Sequence, residues 1–365
     1  MFSKADTNRA KGVAIILMMI HHLFYDPNVF QGYSVIWEPF DEKTGIELAQ
    51  LCKVCVAIFV FLTGYGTMKS FLNDHHREYY DDKKICKRYF RVMSVFWFIY
   101  IAAALGSCVG SIFGAEHTIF SVYCKDGVYK GIIYAILDFL GVAHIFETPV
   151  FNVTWWYIPY AIFFILITPG LIKASDILKG ALIPIAFLFQ RFFCPDNSAQ
   201  IFRYLPVLVL GIYFAKYSIF EKIRFSSFAK NKLDIPVFLI LLIFFSYVRQ
   251  KLGYYDISEA AMAVTICYLV YRCASPVKII NRCLEYLGIF SINIFMLHTF
   301  IYYYYFKDFI YSFGNIWGII LVLLLSSLAV SILLEKMKKL FRYDALIDQI
   351  EKRTVWMLQK IQHSE

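Results

Sequence analysis

Runs of about twenty consecutive, mostly apolar residues recur along the whole chain, and each is long enough as a helix to cross a hydrocarbon layer roughly 30 Å thick. With 59% hydrophobic and only 17% charged residues among 365, the chain carries more apolar surface than one soluble core can bury. The expected fold is therefore an all-α, polytopic membrane bundle with no soluble domain left over. The first run begins at Gly12, lacks a small-residue cleavage site and is followed by many more, so it reads as a retained helix and not as a removable signal peptide.

Spans are expected near 12–29, 51–71, 92–112, 155–172, 179–194, 204–216, 234–249, 257–272, 284–304 and 316–334, ten in all. A further apolar stretch, 131–145, is short and carries Asp138 and His144, which leaves it either an eleventh crossing or a helix at the interface. Charge bias arbitrates. With ten spans and a cytosolic N-terminus, the inner segments hold 25 Lys and Arg residues and the outer segments far fewer. An eleventh crossing would turn the basic stretches Lys216 to Lys232 and Lys336 to Arg342 outward. Both termini are thus expected in the cytosol, with a transmembrane domain over 1–334 and an amphipathic tail over 335–365. In that tail Leu346, Ile350, Trp356 and Ile361 recur at helical spacing among charges, as in a helix on the inner membrane surface. The one long outer connection, 113–154, is aromatic and fits a cover over the external mouth of the bundle.

The net charge of +9 is spread over short connections between apolar runs, a pattern that reports orientation and not nucleic-acid binding. Nine cysteines scattered mostly within apolar runs make no disulfide framework, and Cys52 and Cys55 read as small buried side chains although spaced as CxxC. Cys124 and Cys194 both fall outside in this topology, where a bridge between them is open. No metal is expected.

Ionisable side chains inside spans are expensive, so each is a functional candidate. Eleven positions separate Lys11 from His22, about 16 Å of rise and close to three whole turns, so both project from one helix face. Lys11 then sits at the cytosolic end and His22 near mid-membrane. Asp26 follows four residues on, one turn further out, where its carboxylate is placed to fix the ring tautomer of a general base. His298 lies roughly 21 Å of rise into the span beginning near Leu284, a depth that suggests a cavity shared with His22. His21 points about 100° away from His22 and reads as a packing neighbour. The plainer alternatives are that Lys11 snorkels to the inner surface and that the histidines bridge helices. Arg88 and Arg91, three apart at the cytosolic edge of the third span, present two guanidinium groups on one face and suit phosphate oxygens, with ordinary positive-inside anchoring as the competing explanation. Trp155 and Trp156, beside Asn152 at an outer edge, serve either as interface anchors or as a stacking surface for a sugar.

These residues resemble the motifs of membrane-bound acyltransferase family 3, whose members O-acylate bacterial surface polysaccharides and other carbohydrates. Lys11 to His22 looks like the family's first-helix motif of a basic residue, Gly and a later His, and Phe59-Val60-Phe61-Leu62-Thr63-Gly64-Tyr65 is similar to its phenylalanine-rich Ser-Gly-aromatic motif. Arg88 and Arg91 match its RxxR pair, and Trp156-Tyr157-Ile158-Pro159 resembles its Trp-Phe-Leu-Pro element. Tyr204-Leu205-Pro206 through Leu210-Gly211 resembles the next helix signature. Tyr286-Leu287-Gly288, Ser291 and Phe295-Met296-Leu297-His298 look like the late helix that ends in Leu-His. The motifs stand in family order from Lys11 to about residue 334. Two positions depart from the pattern: Lys11 stands where many members carry Arg, which removes the bidentate fork, and Thr63 replaces Ser but keeps the hydroxyl. Some members add an extracytoplasmic hydrolase-like domain, and none is expected after this cytosolic tail.

The resemblance implies an O-acyltransferase of a bacterial cytoplasmic membrane that takes acetyl from acetyl-CoA and delivers it to a hydroxyl of a cell-surface polysaccharide or lipid-linked sugar. By the same resemblance Arg88, Arg91 and Lys11 hold the donor, and His22, oriented by Asp26, is the base. His298 or Thr63 steadies the ring or the oxyanion, and Thr63, Asn152 and Trp156 face the substrate. Direct transfer and an acyl-His22 intermediate both stay open. The expected partners are acyl-CoA, the carbohydrate and membrane lipid, with oligomeric state open. A transporter or flippase of a lipid-linked sugar also fits intramembrane histidines. A structural or sensor protein fits the hydropathy and leaves His22 and His298 without a task.

Overall fold

The computed structural model describes residues 2–74, 79, 81–193, 200–253, 255–273 and 278–362. Among these the regular structure is helical, apart from an isolated bridge between Ile36 and Asn315. Among the described residues four helices are long and apolar enough to cross a membrane, namely Glu42–Leu72, Asp82–Ile112, Val153–Ile177 and Ile316–Leu340, and a fifth candidate, Lys278–Ile289 with Ser291–Tyr305, is broken at Phe290. They overlap five of the expected spans. The remaining expected spans are shorter or more polar. Leu182–Phe193 and Leu205–Lys216 have 12 residues each, about 18 Å of rise, which falls short of the hydrocarbon thickness. Asp234–Lys251 and Tyr255–Arg272 reach 18 residues, about 27 Å, but carry Asp234, Arg249, Asp256, Glu259 and Arg272. The segment around 131–145 forms a 12-residue helix, Val128–Phe139, likewise too short to cross. The chain is a multi-pass helical membrane protein, and the count of ten, read from apolar runs with charge bias deciding against an eleventh, exceeds the four or five that helix length and composition support among the described residues.

The chain divides into two compact units, Met1–Gly32, Trp37–Tyr80 and Leu166–Ser291 forming the first, and Tyr33–Ile36, Asp81–Ile165 and Ile292–Glu365 the second. In the first unit the helix Lys4–Phe24 begins earlier than its apolar run because Ser3 and Asp6 form a capping box, each side chain bonding the other's backbone N–H. That helix packs on Lys278–Ile289 at backbone distance: a Cβ on Gly12 would stand 2.2 Å from the Leu284 carbonyl oxygen, and one on Gly288 1.9 Å from that of Asn8. Cys55–Leu72 packs in the same way on Leu205–Lys216, where a Cβ on Gly64 would meet the Leu208 oxygen at 2.2 Å and one on Gly211 the Phe61 oxygen at 2.2 Å. Small residues that let helix backbones touch are the usual means of association in lipid, where burial of apolar surface supplies no drive.

In the second unit the helix Asp82–Ile112 carries the tail helix Tyr343–Gln362 along its N-terminal part. Ile347 packs there with Cys86 and Phe90, and Tyr343 Oη donates to the Ser94 carbonyl at 2.9 Å. The aromatic connection at the opposite end of that helix is tied down by polar bonds. Asp138 accepts from Tyr123 Oη at 2.5 Å and from the Phe151 amide at 2.7 Å, and His117 stacks on Tyr304 with ring centroids 3.6 Å apart.

Candidate active site

In the first unit Lys11 and His22 lie on the single helix Lys4–Phe24, whose regular rise keeps them about 16 Å apart and on one face. Both are half-buried. His21, next to His22 with ring centroids 5.1 Å apart, has its Nδ1 at 3.0 Å from the Ala49 carbonyl oxygen. A carbonyl only accepts, so this contact assigns the His21 proton to Nδ1 and ties the ring to the neighbouring helix. The expected place of Asp26 is corrected: the helix ends at Phe24, and Asp26 is extended, with φ −140°. Its Oδ1 accepts from the amide and side chain of Asn28, both at 3.0 Å, because Pro27 cannot continue a helix and Asp26 caps the short turn that follows. The one-turn relation to His22 therefore does not exist. Thr63 is half-buried and donates its hydroxyl proton to the Phe59 carbonyl at 2.9 Å. In that rotamer the hydroxyl proton is committed to the helix backbone and the oxygen is left as an acceptor.

In the second unit His298 is fully buried, with Nδ1 at 2.8 Å from the Phe295 oxygen and 3.2 Å from that of Ile294. The proton accordingly sits on Nδ1, and Nε2 is the basic nitrogen. Beside it runs a chain of hydroxyls: Thr154 donates to Asn152 Oδ1 at 2.7 Å, so the 2.9 Å contact between the two threonine oxygens takes its proton from Thr299. Thr299 is 3.5 Å from His298 Nε2, a weaker approach. Asn152 and His298 are thus brought together, but the Asn152 amide is taken up internally, capping Thr154 and donating to the Met296 oxygen at 3.4 Å. Both ends of the Asn152 amide, expected to face the substrate, are thus engaged within the second unit. Trp155 Nε1 donates to the same oxygen at 2.9 Å, and two residues beyond His298 the helix loosens into a π-turn over Phe300–Tyr305, a distortion common at functional sites. Trp156 stays half-buried with its ring 5.5 Å from Tyr160 and remains open to stacking.

Arg88 and Arg91 lie at the capped N-terminal part of Asp82–Ile112, where Asp81 accepts from the Lys84 amide. Three positions apart on one helix, Arg88 and Arg91 present their guanidinium groups on the same face. Arg91 itself is exposed, and among the described residues no ion pair of its own is present. Lys11, His22, Asp26 and Thr63 belong to the first unit and Arg88, Arg91, Asn152, Trp156 and His298 to the second.

Asp138 offers a pH test of the connection 113–154. Burial raises its carboxyl to about 6 and outweighs the Tyr123 and Phe151 donors, which act in the opposite sense. A raised folded-state value means that its contribution is complete below about pH 4 and is lost as pH rises through about 6, up to about 3 kcal/mol. We expect limited proteolysis of the 113–152 region in wild-type protein to accelerate between pH 5 and 7 on the order of tenfold or more, and Asp138→Asn to flatten that profile. Unchanged pH dependence in the variant would remove the carboxyl as its source.

A third cluster escaped the sequence reading. In the first unit Glu259 Oε1 accepts from Arg203 Nη2 at 2.7 Å and from Arg249 Nη2 at 3.2 Å, all three side chains being buried. The rule that singled out His22 applies equally to Arg249 and Glu259, both inside apolar runs; Arg203 stands just before one and gave no signal. Cys194 lies outside the described residues, and so does any bridge from it; every described cysteine is free.

A family model described as an acyltransferase domain matches residues 6–336. Comparison with curated proteins and with solved structures gives no match.

Proposed function

Because the chain belongs to acyltransferase family 3, we propose that it moves an acyl group, acetyl in the first instance, from cytosolic acyl-CoA to a sugar hydroxyl at the outer side of a bacterial cytoplasmic membrane. The observation that carries this reading is the single uninterrupted helix that holds Lys11 near its inner end and a half-buried His22 eleven residues further on. His22 takes the proton of the acceptor hydroxyl as its oxygen attacks the thioester carbonyl. The carbon–sulfur bond then breaks, and the imidazolium returns the proton to the departing CoA thiolate. Arg88 and Arg91 hold donor phosphates, with Lys11 adding charge. Asp26 has no part, since Asn28 holds its carboxylate. His298 Nε2 is a second basic nitrogen, kept in one tautomer by the Phe295 carbonyl, and it serves to orient the acceptor.

The test is transfer of labelled acetyl from acetyl-CoA to membrane glycans by cells or vesicles expressing the chain. Replacing both arginines, Arg88→Ala with Arg91→Ala, is expected to raise the KM for acetyl-CoA roughly 10- to 100-fold, the worth of one or two charge-assisted bonds, with little change in kcat. Movement of a lipid-linked sugar across the bilayer with no label transferred would establish the flippase instead. An unchanged KM would return the arginines to ordinary anchoring.

A further inference from the structure

The buried Arg203–Glu259–Arg249 cluster is not electrically balanced. Both arginines address the same carboxylate oxygen, Glu259 Oε1. Lys53, half-buried on the short turn before Cys55, lies within the electrostatic reach of all three, and among the described residues it forms no ion pair. Asp256 is the other carboxylate nearby, acting on Arg203. Three cations therefore face two carboxylates, and Arg191 adds further positive charge at Asp256. A buried charge without a counter-charge is strongly unfavourable, whereas one that waits for an anion is a binding site.

Unused hydrogen-bonding atoms gather at the same place. Arg203 Nε and Tyr204 Oη are buried without a partner, and Gln190, fully enclosed, addresses Asp256. Buried polar groups are nearly always paired, so two such orphans beside a surplus charge mark a place for a polar ligand. The cluster also adjoins the His21 end of the first helix, about three turns from Lys11: the charges of Lys53 and Arg249 both act on His21, whose ring touches that of His22. By charge bias this is the outer end, where cations are otherwise scarce.

We propose that Lys53, Arg203 and Arg249 form a binding site for an anionic oxygen group of the acceptor, so that the sugar acylated here is an acidic one bearing a carboxylate or a phosphate. That the ligand is the acyl acceptor rests on the acyltransferase reading; that the site takes an anion does not. Glu259 holds the two guanidinium groups in place and leaves their remaining N–H donors, with the Lys53 ammonium, for the ligand.

The test uses full-length protein in nanodiscs, with glucuronate and glucose 1-phosphate as probes, glucose as the neutral control, and binding read by thermal shift and calorimetry without acyl-CoA. One acidic probe is expected to raise Tm by several degrees while glucose does not, and which of the two binds identifies the source of the charge. Arg203→Gln risks the fold, so the decisive variant is Lys53→Gln, which breaks no ion pair. It should weaken binding at least about tenfold, and Lys53→Arg should restore it. Acidic probes no better than glucose, or equal binding by Lys53→Gln, would overturn the site. A protein that binds the acidic sugar but transfers no acetyl would refute the proposed reaction and leave the anion site standing. One that acetylates a neutral sugar and ignores both acidic probes would do the reverse.

Discussion

His22→Ala is expected to lower acetyl transfer about 10²- to 10⁴-fold, the range over which a positioned general base acts. The loss should appear in kcat, because the ring is needed while the hydroxyl attacks and not while CoA is being held. His21→Ala is the matched control. The two rings are neighbours, 5.1 Å apart, but His21 Nδ1 is bound to the Ala49 carbonyl and so ties two helices together. Its removal should cost stability, about 1 kcal/mol for a net hydrogen bond plus the orphaned carbonyl, with a much smaller fall in kcat. A His22→Ala protein that is folded and retains wild-type kcat would end the proposed mechanism. Equal kcat losses in both variants would shift the base to His21 or to the pair.

The second large effect concerns folding. Gly64→Val, Gly211→Val and Gly288→Val are each expected to destabilise the first unit by about 3 kcal/mol or more, enough to remove most folded protein from detergent extracts. Each new Cβ would stand 1.9 to 2.2 Å from a backbone carbonyl oxygen of the facing helix, and backbone cannot rotate aside as a side chain can. Gly66 supplies the contrast: it lies on the same helix as Gly64, two residues on, with nothing within 4 Å of its would-be Cβ. Gly66→Ala should therefore be neutral or stabilise slightly, by removing backbone freedom from the unfolded chain. Gel filtration and thermal unfolding of the pair Gly64→Ala and Gly66→Ala would settle the matter, and similar behaviour of the two would refute close backbone packing as the cause.

This contrast bears on how motifs are read. Gly12, Gly64, Gly211 and Gly288 all fall inside the segments that carry the family resemblance. Their structural role is to let Lys4–Phe24 and Cys55–Leu72 approach their partners at backbone distance. Part of each of these four motifs is therefore packing, and the chemistry we propose falls to Lys11, His22, the two arginines and His298. Asp26 shows the opposite error. Spacing of four residues beyond His22 reads as one helical turn only if the helix continues, and Pro27 three residues past the helix end makes a capped turn instead. Thr63 and Asn152 were legible as polar residues in apolar surroundings, but which backbone atoms would occupy them was not.

Hydropathy and charge order settle the class of this molecule before any folding is considered. A run of twenty apolar residues has one solvent in which it is stable, and a helix is the form in which each run satisfies its own backbone there. The spacing from Lys11 to His22 is of the same kind, since a regular helix converts residue number directly into height and direction. Where helices stop, which carbonyl holds which imidazole, and the meeting of Arg203, Arg249 and Glu259 depend on contacts between residues tens of positions apart. Those partners are chosen by packing geometry at glycine contacts and by the cost of unpaired buried charge, quantities that belong to neighbouring helices together and to no single stretch of chain.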